Sequence, residues 1–160
     1  MNYIIDGHNL IGHIAGLELS MPDDEERLVE LLQRFGRGTP HKLEVYFDGA
    51  PAGQAGVRSF GQVKAYFVRQ GQTADEAIRR RLAKLGRSSA VWVIVSSDRA
   101  VQAAGREAHA QTLRAEDFAR MVQGTLEGRL ASERSSPEQT LSEEEVNKWL
   151  RIFRGPHKKM

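Results

Sequence analysis

Val91-Trp92-Val93-Ile94-Val95 is an unbroken apolar run, mostly β-branched, with no polar position to turn toward water. Such a run suits a central strand buried on both faces, the situation of a parallel sheet whose crossovers lay helices above and below it. The rest of the chain supplies the partners. Apolar stretches at Tyr3-Ile4-Ile5, Leu43-Glu44-Val45-Tyr46-Phe47 and Val63 to Val68 alternate with helical patterns. That alternation predicts an α/β domain with a mostly parallel sheet.

The helices announce themselves by their first turns. Pro22-Asp23-Asp24-Glu25-Glu26 puts acids at a helix start, and Leu28, Leu31, Leu32 and Phe35 follow on one stripe. Thr73 with Glu76 forms a capping box, with Ala74, Ala77, Ile78, Leu82 and Leu85 inward and Arg79, Arg80, Arg81, Lys84 and Arg87 outward. Asp98 begins a short helix, 110–113 is a last strand, and Phe118, Met121, Val122 and Leu126 mark the helix after it. Gly49 to Gly61 is expected to be a glycine-rich loop carrying Arg58.

This predicts one domain over residues 1–130, a polar linker over 131–141, and an amphipathic tail helix with a basic end over 142–160. Ser142 and Glu145 cap the tail, and Val146, Trp149, Leu150 and Phe153 form a stripe that must be covered, by its own domain or by a partner. The chain has no cysteine, which excludes a disulfide framework and fits a cytoplasmic protein. No apolar stretch approaches the ~18 residues of a membrane span, so no membrane partner is expected. Net charge is only +2, but 17 of the 23 basic residues are arginine, whose planar fork suits phosphate. Nothing in the sequence sets an oligomeric state.

Four aspartates carry the chemical argument. Asp6 ends the first apolar run, Asp48 the second, Asp98 follows Val91–Val95 by two serines, and Asp75 opens a helix. Strand ends of one polarity share one edge of a parallel sheet, the edge where such folds bind ligands. Carboxylates gathered there repel one another and call for a counter-charge, and hard oxygen donors select Mg²⁺ or Mn²⁺. Ions in such a site activate water for in-line displacement at phosphorus. Asn9, three residues after Asp6, can steer a water, a phosphate or Asp6 itself.

Each acid also has a purely structural role open to it. Asp6 and Asp48 both precede glycine, as turn residues do, Asp75 favours the positive end of its helix, and Asp98 suits an N-cap. Other chemistries fit less well: no zinc pattern, P-loop or dinucleotide fingerprint is present. A dehalogenase-type phosphatase wants a second acid two residues after the first, where His8 stands.

Taken in order and spacing, Ile4-Ile5-Asp6-Gly7-His8-Asn9-Leu10-Ile11, Val45-Tyr46-Phe47-Asp48-Gly49, Gly71-Gln72-Thr73-Ala74-Asp75-Glu76 and Val95-Ser96-Ser97-Asp98-Arg99 resemble the YacP-like NYN family of PIN-like ribonucleases. The resemblance implies a PIN-like three-layer α/β/α fold, a divalent-metal site and endonucleolytic cleavage of RNA, with some relatives acting on messenger RNA at the ribosome. It implies Asp6, Asp75 and Asp98 as metal ligands, Asp48 as a further one, Asn9 as their support, and Thr73 and Ser97 as hydroxyls that orient the acids. Two departures stand out: His8 where relatives often carry Tyr, and Arg114 where a Ser or Thr cap commonly precedes the last helix.

Two functions follow from these features. One is a metal-dependent endoribonuclease whose arginines, Arg58, Arg79, Arg80 and Arg99, gather the RNA backbone. The other is an RNA- or ribosome-binding module of the same fold that cleaves nothing.

Overall fold

A computed structural model describes residues 1–135 of the chain. The first strand, β1 (Asn2–Asp6), runs into a short helix, α1 (Gly7–Ile11), and α2 (Asp24–Gly36) leads to β2 (Lys42–Ala50), β3 (Gly56–Phe60) and β4 (Val63–Arg69). Then follow α3 (Ala74–Leu85), β5 (Trp92–Val95), α4 (Arg99–Glu107), β6 (Gln111–Leu113) and α5 (Ala115–Ser135). The strands form one sheet in the order β3-β4-β2-β1-β5-β6. Among the described residues only the β3 pairing is antiparallel.

Alternation along β1 sorts its side chains between two helical layers. Tyr3 meets Phe35 of α2 edge-on, whereas Ile4 packs with Ile78 and Leu82 of α3, Val101 of α4, and Trp92 and Ile94 of β5. Thus α1 and α2 cover one face and α3 and α4 the other, a three-layer α/β/α sandwich. All four β5 side chains are buried, as the unbroken apolar run required. Fully burying such a Val or Ile contributes about 1.5–3 kcal/mol.

The structure departs from the sequence reading in three places. The segment from Gly49 to Gly61 is not a plain loop, because Gly56–Phe60 pairs with Phe67–Val63 as an edge strand. Helix α5 continues through 131–135, into the expected linker, because Ala, Glu and Arg there favour helix and no proline intervenes before Pro137. The remainder of that linker and the tail helix lie outside the described residues. Arg81 turns inward from the basic face of α3: it holds Glu44 of β2 through two bonds of 2.9 and 2.8 Å, and Tyr46 Oη donates to the same carboxylate. Burying Glu44 without that fork would strand a charge.

The chain divides into two compact units, residues 1–116 and the unit from Asp117 onward. The four aspartates belong to the first. In the second, α5 carries an Arg120–Asp117 ion pair along its surface.

Candidate active site

Strand order reverses at β1: the chain moves outward through β2 and β4 on one side, then returns to add β5 and β6 on the other. The carboxyl ends of β1 and β5 therefore flank the crevice where open α/β sheets take their ligands. Asp6 ends β1, and Ser96-Ser97-Asp98 follows β5.

Asp6 is half-buried there and its Oδ2 accepts a bond from the Ser96 hydroxyl at 3.2 Å. Burial raises its carboxyl above the usual range, the Ser96 bond pulls it back, and the Asp48 and Asp98 carboxylates push it up again. Asp6 therefore feels the charges of both Asp48 and Asp98. Asp98 is also an N-cap, Oδ1 accepting from the amides of Ala100 and Val101 at 2.8 and 3.2 Å. Its own amide donates to Ser96 Oγ.

Asp48 stands on a bulge. The β2–β4 register slips between Phe47 and Ala50, with Gly49 at φ +78°, where a side chain would be strained. Such bulges re-aim a side chain at a sheet edge. Asp48 Oδ1 lies 2.9 Å from His8 Nδ1, and Glu25 Oε2 of α2 lies 2.7 Å from His8 Nε2. Only a doubly protonated ring donates to both, and the Glu25 bond first, against burial and with help from Asp48, raises His8 to about 9. Protonated His8, held by Glu25, thus places one positive charge beside Asp48 at the acidic edge, a pairing that sequence reasoning passed over. The fold permits it because Gly7 has no side chain: a Cβ there would lie 2.4 Å from the Phe47 ring.

Asn9 is held by the turn after β5, its Oδ1 accepting from the Ser97 amide at 2.8 Å. That bond leaves the Asn9 amide NH₂ to point its donors elsewhere. The Ser97 hydroxyl donates to Glu116 at 2.8 Å and accepts from the Ala115 amide, so it orients Glu116 rather than any of the four aspartates. Ser96, its neighbour, reaches Asp6 instead. Glu116 also takes a two-pronged bond from Arg114, and the Ser97 bond, with Arg114 assisting, lowers its carboxyl.

Asp75 occupies the first turn of α3. Its Oδ1 is buried with no hydrogen-bond partner, although Arg79 Nε lies 3.3 Å away out of alignment. Thr73 serves the helix: its hydroxyl accepts from the Glu76 amide and donates to the Glu76 carboxylate, completing the capping box. Of the arginines, Arg58 lies 4.6 Å above the Phe67 ring, Arg80 reaches Gln72 at 3.4 Å, and Arg99 opens α4 exposed to solvent.

In donor chemistry Asp6, Asp48 and Asp98 suit a hard divalent cation, since each offers carboxylate oxygens, and the buried Asp75 Oδ1 has no hydrogen bond, only the Arg79 ion pair. As the side chains are placed, no group of three or more acids or histidines among the described residues closes into a metal cage. Asp48 is engaged by His8, and Asp98 by the amides of α4.

The family model of the YacP-like NYN domain matches residues 3–154. Crystal structures of Rae1 (YacP) from Bacillus subtilis are similar in fold. A point mutant of that protein is 22% identical, with a TM-score of 0.70 over 92% of this chain and 91% of its own. A second Rae1 structure, also 22% identical, gives 0.67 over 99% and 97%. No curated protein matches the chain.

Proposed function

The chain belongs to the YacP-like NYN domain family, and from that premise we propose that it is a divalent-metal-dependent endoribonuclease, hydrolysing RNA phosphodiester bonds. One observation carries the reading: Asp6, at the switch point of the sheet, is raised by burial and by the charges of Asp48 and Asp98 together. Carboxylates arranged to repel one another gain from a cation, and hard oxygen donors select Mg²⁺ or Mn²⁺. Asp6, Asp75 and Asp98 would hold the ion, with Asp48 beside them. When bound, it supplies Lewis-acid activation of water and neutralises charge developing on the phosphate.

The chain's own groups prepare the site. Ser96 holds one oxygen of Asp6 and thereby favours its ionised form. Asn9, fixed by the Ser97 amide, offers its NH₂ to a phosphate oxygen. Protonated His8 keeps Asp48 in place. Arg58, Arg79, Arg80 and Arg99 would contact the RNA backbone, which makes binding salt-dependent. Messenger RNA on the ribosome, the target that the family resemblance implies, is the finer part of the proposal.

A second reading is a non-catalytic RNA- or ribosome-binding module, favoured by the engagement of Asp98 as a helix cap. Labelled single-stranded and structured RNA, with and without ribosomes, separates the two when incubated with Mn²⁺, Mg²⁺ or EDTA. The nuclease reading expects cleavage that needs the metal and disappears in Asp6→Asn and Asp75→Asn. Cleavage persisting in EDTA or in both variants overturns the metal site; tight binding with no cleavage in any arm establishes the module.

A further inference from the structure

We propose that Phe67 and Arg58 form a stacking subsite for one unpaired RNA base beside the carboxylate edge, so that the enzyme acts on single-stranded RNA. The inference rests on the reading of RNA as substrate and names the form of RNA the site takes.

Arg58 pairs with Ala65 across the β3–β4 ladder, so its side chain shares a face with Ala65 and Phe67. Its guanidinium lies 4.6 Å above the Phe67 ring. Phe67 is only half-buried and stacks on Phe47 at 5.5 Å, and Phe47 in turn meets the His8 ring at 5.5 Å. Phe47 precedes Asp48, so this aromatic row begins at the acidic edge and ends under a cation.

The cation is otherwise uncommitted. Residues 49–61 contain no acid, Arg58 is their only charge, and it has no ion pair or hydrogen bond among the described residues. Its face is occupied while its five donors are free. A base entering between guanidinium and ring would exchange one π contact for two, and the same donors would reach the adjoining phosphate. A base locked in a duplex cannot enter, because its faces are already stacked on its neighbours.

The experiment uses the full-length protein in EDTA, so that binding is read without cleavage. The probe is a short RNA carrying 2-aminopurine, alone or annealed to its complement. Stacking quenches the single strand on binding and leaves the duplex unchanged. Phe67→Leu and Arg58→Ala bind the single strand about tenfold more weakly, and the quench is lost. Arg58 is exposed, so its variant tests the subsite even if Phe67→Leu loses stability, which a thermal melt reports. Quenching that persists in both variants, or a duplex that quenches equally, overturns the subsite. Loss of quenching in the variants supports it even if no RNA is cut with Mn²⁺ present, in which case only the nuclease reading falls.

Discussion

Ser96 Oγ donates to Asp6 Oδ2 at 3.2 Å across the switch point of the sheet, joining residues 90 positions apart. The same hydroxyl oxygen accepts from the Asp98 amide, so one fully buried serine fixes the acid that ends β1 and the backbone of the acid that opens α4. Ser96→Ala leaves that amide without its acceptor, at a cost of about 1–3 kcal/mol in denaturant unfolding. It also removes the larger of the two influences that lower Asp6, leaving the Asn9 backbone bond. Asp6 then ionises at higher pH, and the acid limb of the cleavage profile moves upward; an unmoved limb would show that Asp6 is held by something else.

His8 makes folding stability fall on the alkaline side. Its folded value is raised to about 9, led by Glu25, from an ordinary 6.5. A cation favoured by the fold contributes fully below about pH 6.5, and that contribution fades as pH rises through 9. Urea titrations in EDTA at pH 6, 7.5 and 9 should give decreasing stability, and His8→Gln should flatten the trend between the first and last. A wild-type curve that rises over this interval contradicts the assignment of His8 as an imidazolium.

Gly7 tests how closely α1 must approach β2. The Cβ of Gly7→Ala would meet the Phe47 ring at 2.4 Å and the Tyr46 carbonyl oxygen at 2.9 Å, and the carbonyl cannot swing aside as a side chain can. Overpacking of this kind costs about 1–3 kcal/mol. Because Asp6 and His8 flank the glycine, cleavage should fall further than the loss of folded protein explains. Equal losses in a paired melt and activity assay would confine the glycine to packing.

How much of this was legible along the chain depends on the range of each interaction. The strands and helix starts follow from local pattern: Val91–Val95 leaves no face for water, and Thr73 with Glu76 spells out its own cap. The family resemblance was legible too, in four short stretches around the aspartates, and the family model spans them. β3 was missed because Gly56, Val57, Arg58 and Ser59 are all exposed, so an edge strand held by backbone bonds shows no alternation. Glu25, Ser96 and Glu116 gain their roles from partners 17, 90 and 19 residues away, beyond the reach of any periodicity. Arg81 did leave a signal: it falls between Ile78 and Leu82 on the inward stripe, and Glu44 is a charge set inside an apolar strand.

That pair provides the last test, of whether the α3 face of the sheet is structural alone. Glu44 is 5% exposed and takes bonds from Arg81 and from Tyr46, and Arg81 also lies over Trp92. Arg81→Met removes the cation and leaves the carboxylate buried. The cost should be about 2–3 kcal/mol, below that of a fully enclosed pair because Arg81 reaches solvent. Adding Glu44→Gln should recover part of the loss, since the stranded charge is removed while Tyr46 keeps an oxygen to donate to. Neither residue touches the aspartates by any bond described above, so cleavage per folded molecule should stay within about twofold of wild type, close to the sub-kcal coupling of distant sites. A stability loss in Arg81→Met that Glu44→Gln deepens would mean that Arg81 acts through its stacking on Trp92 rather than through the buried charge.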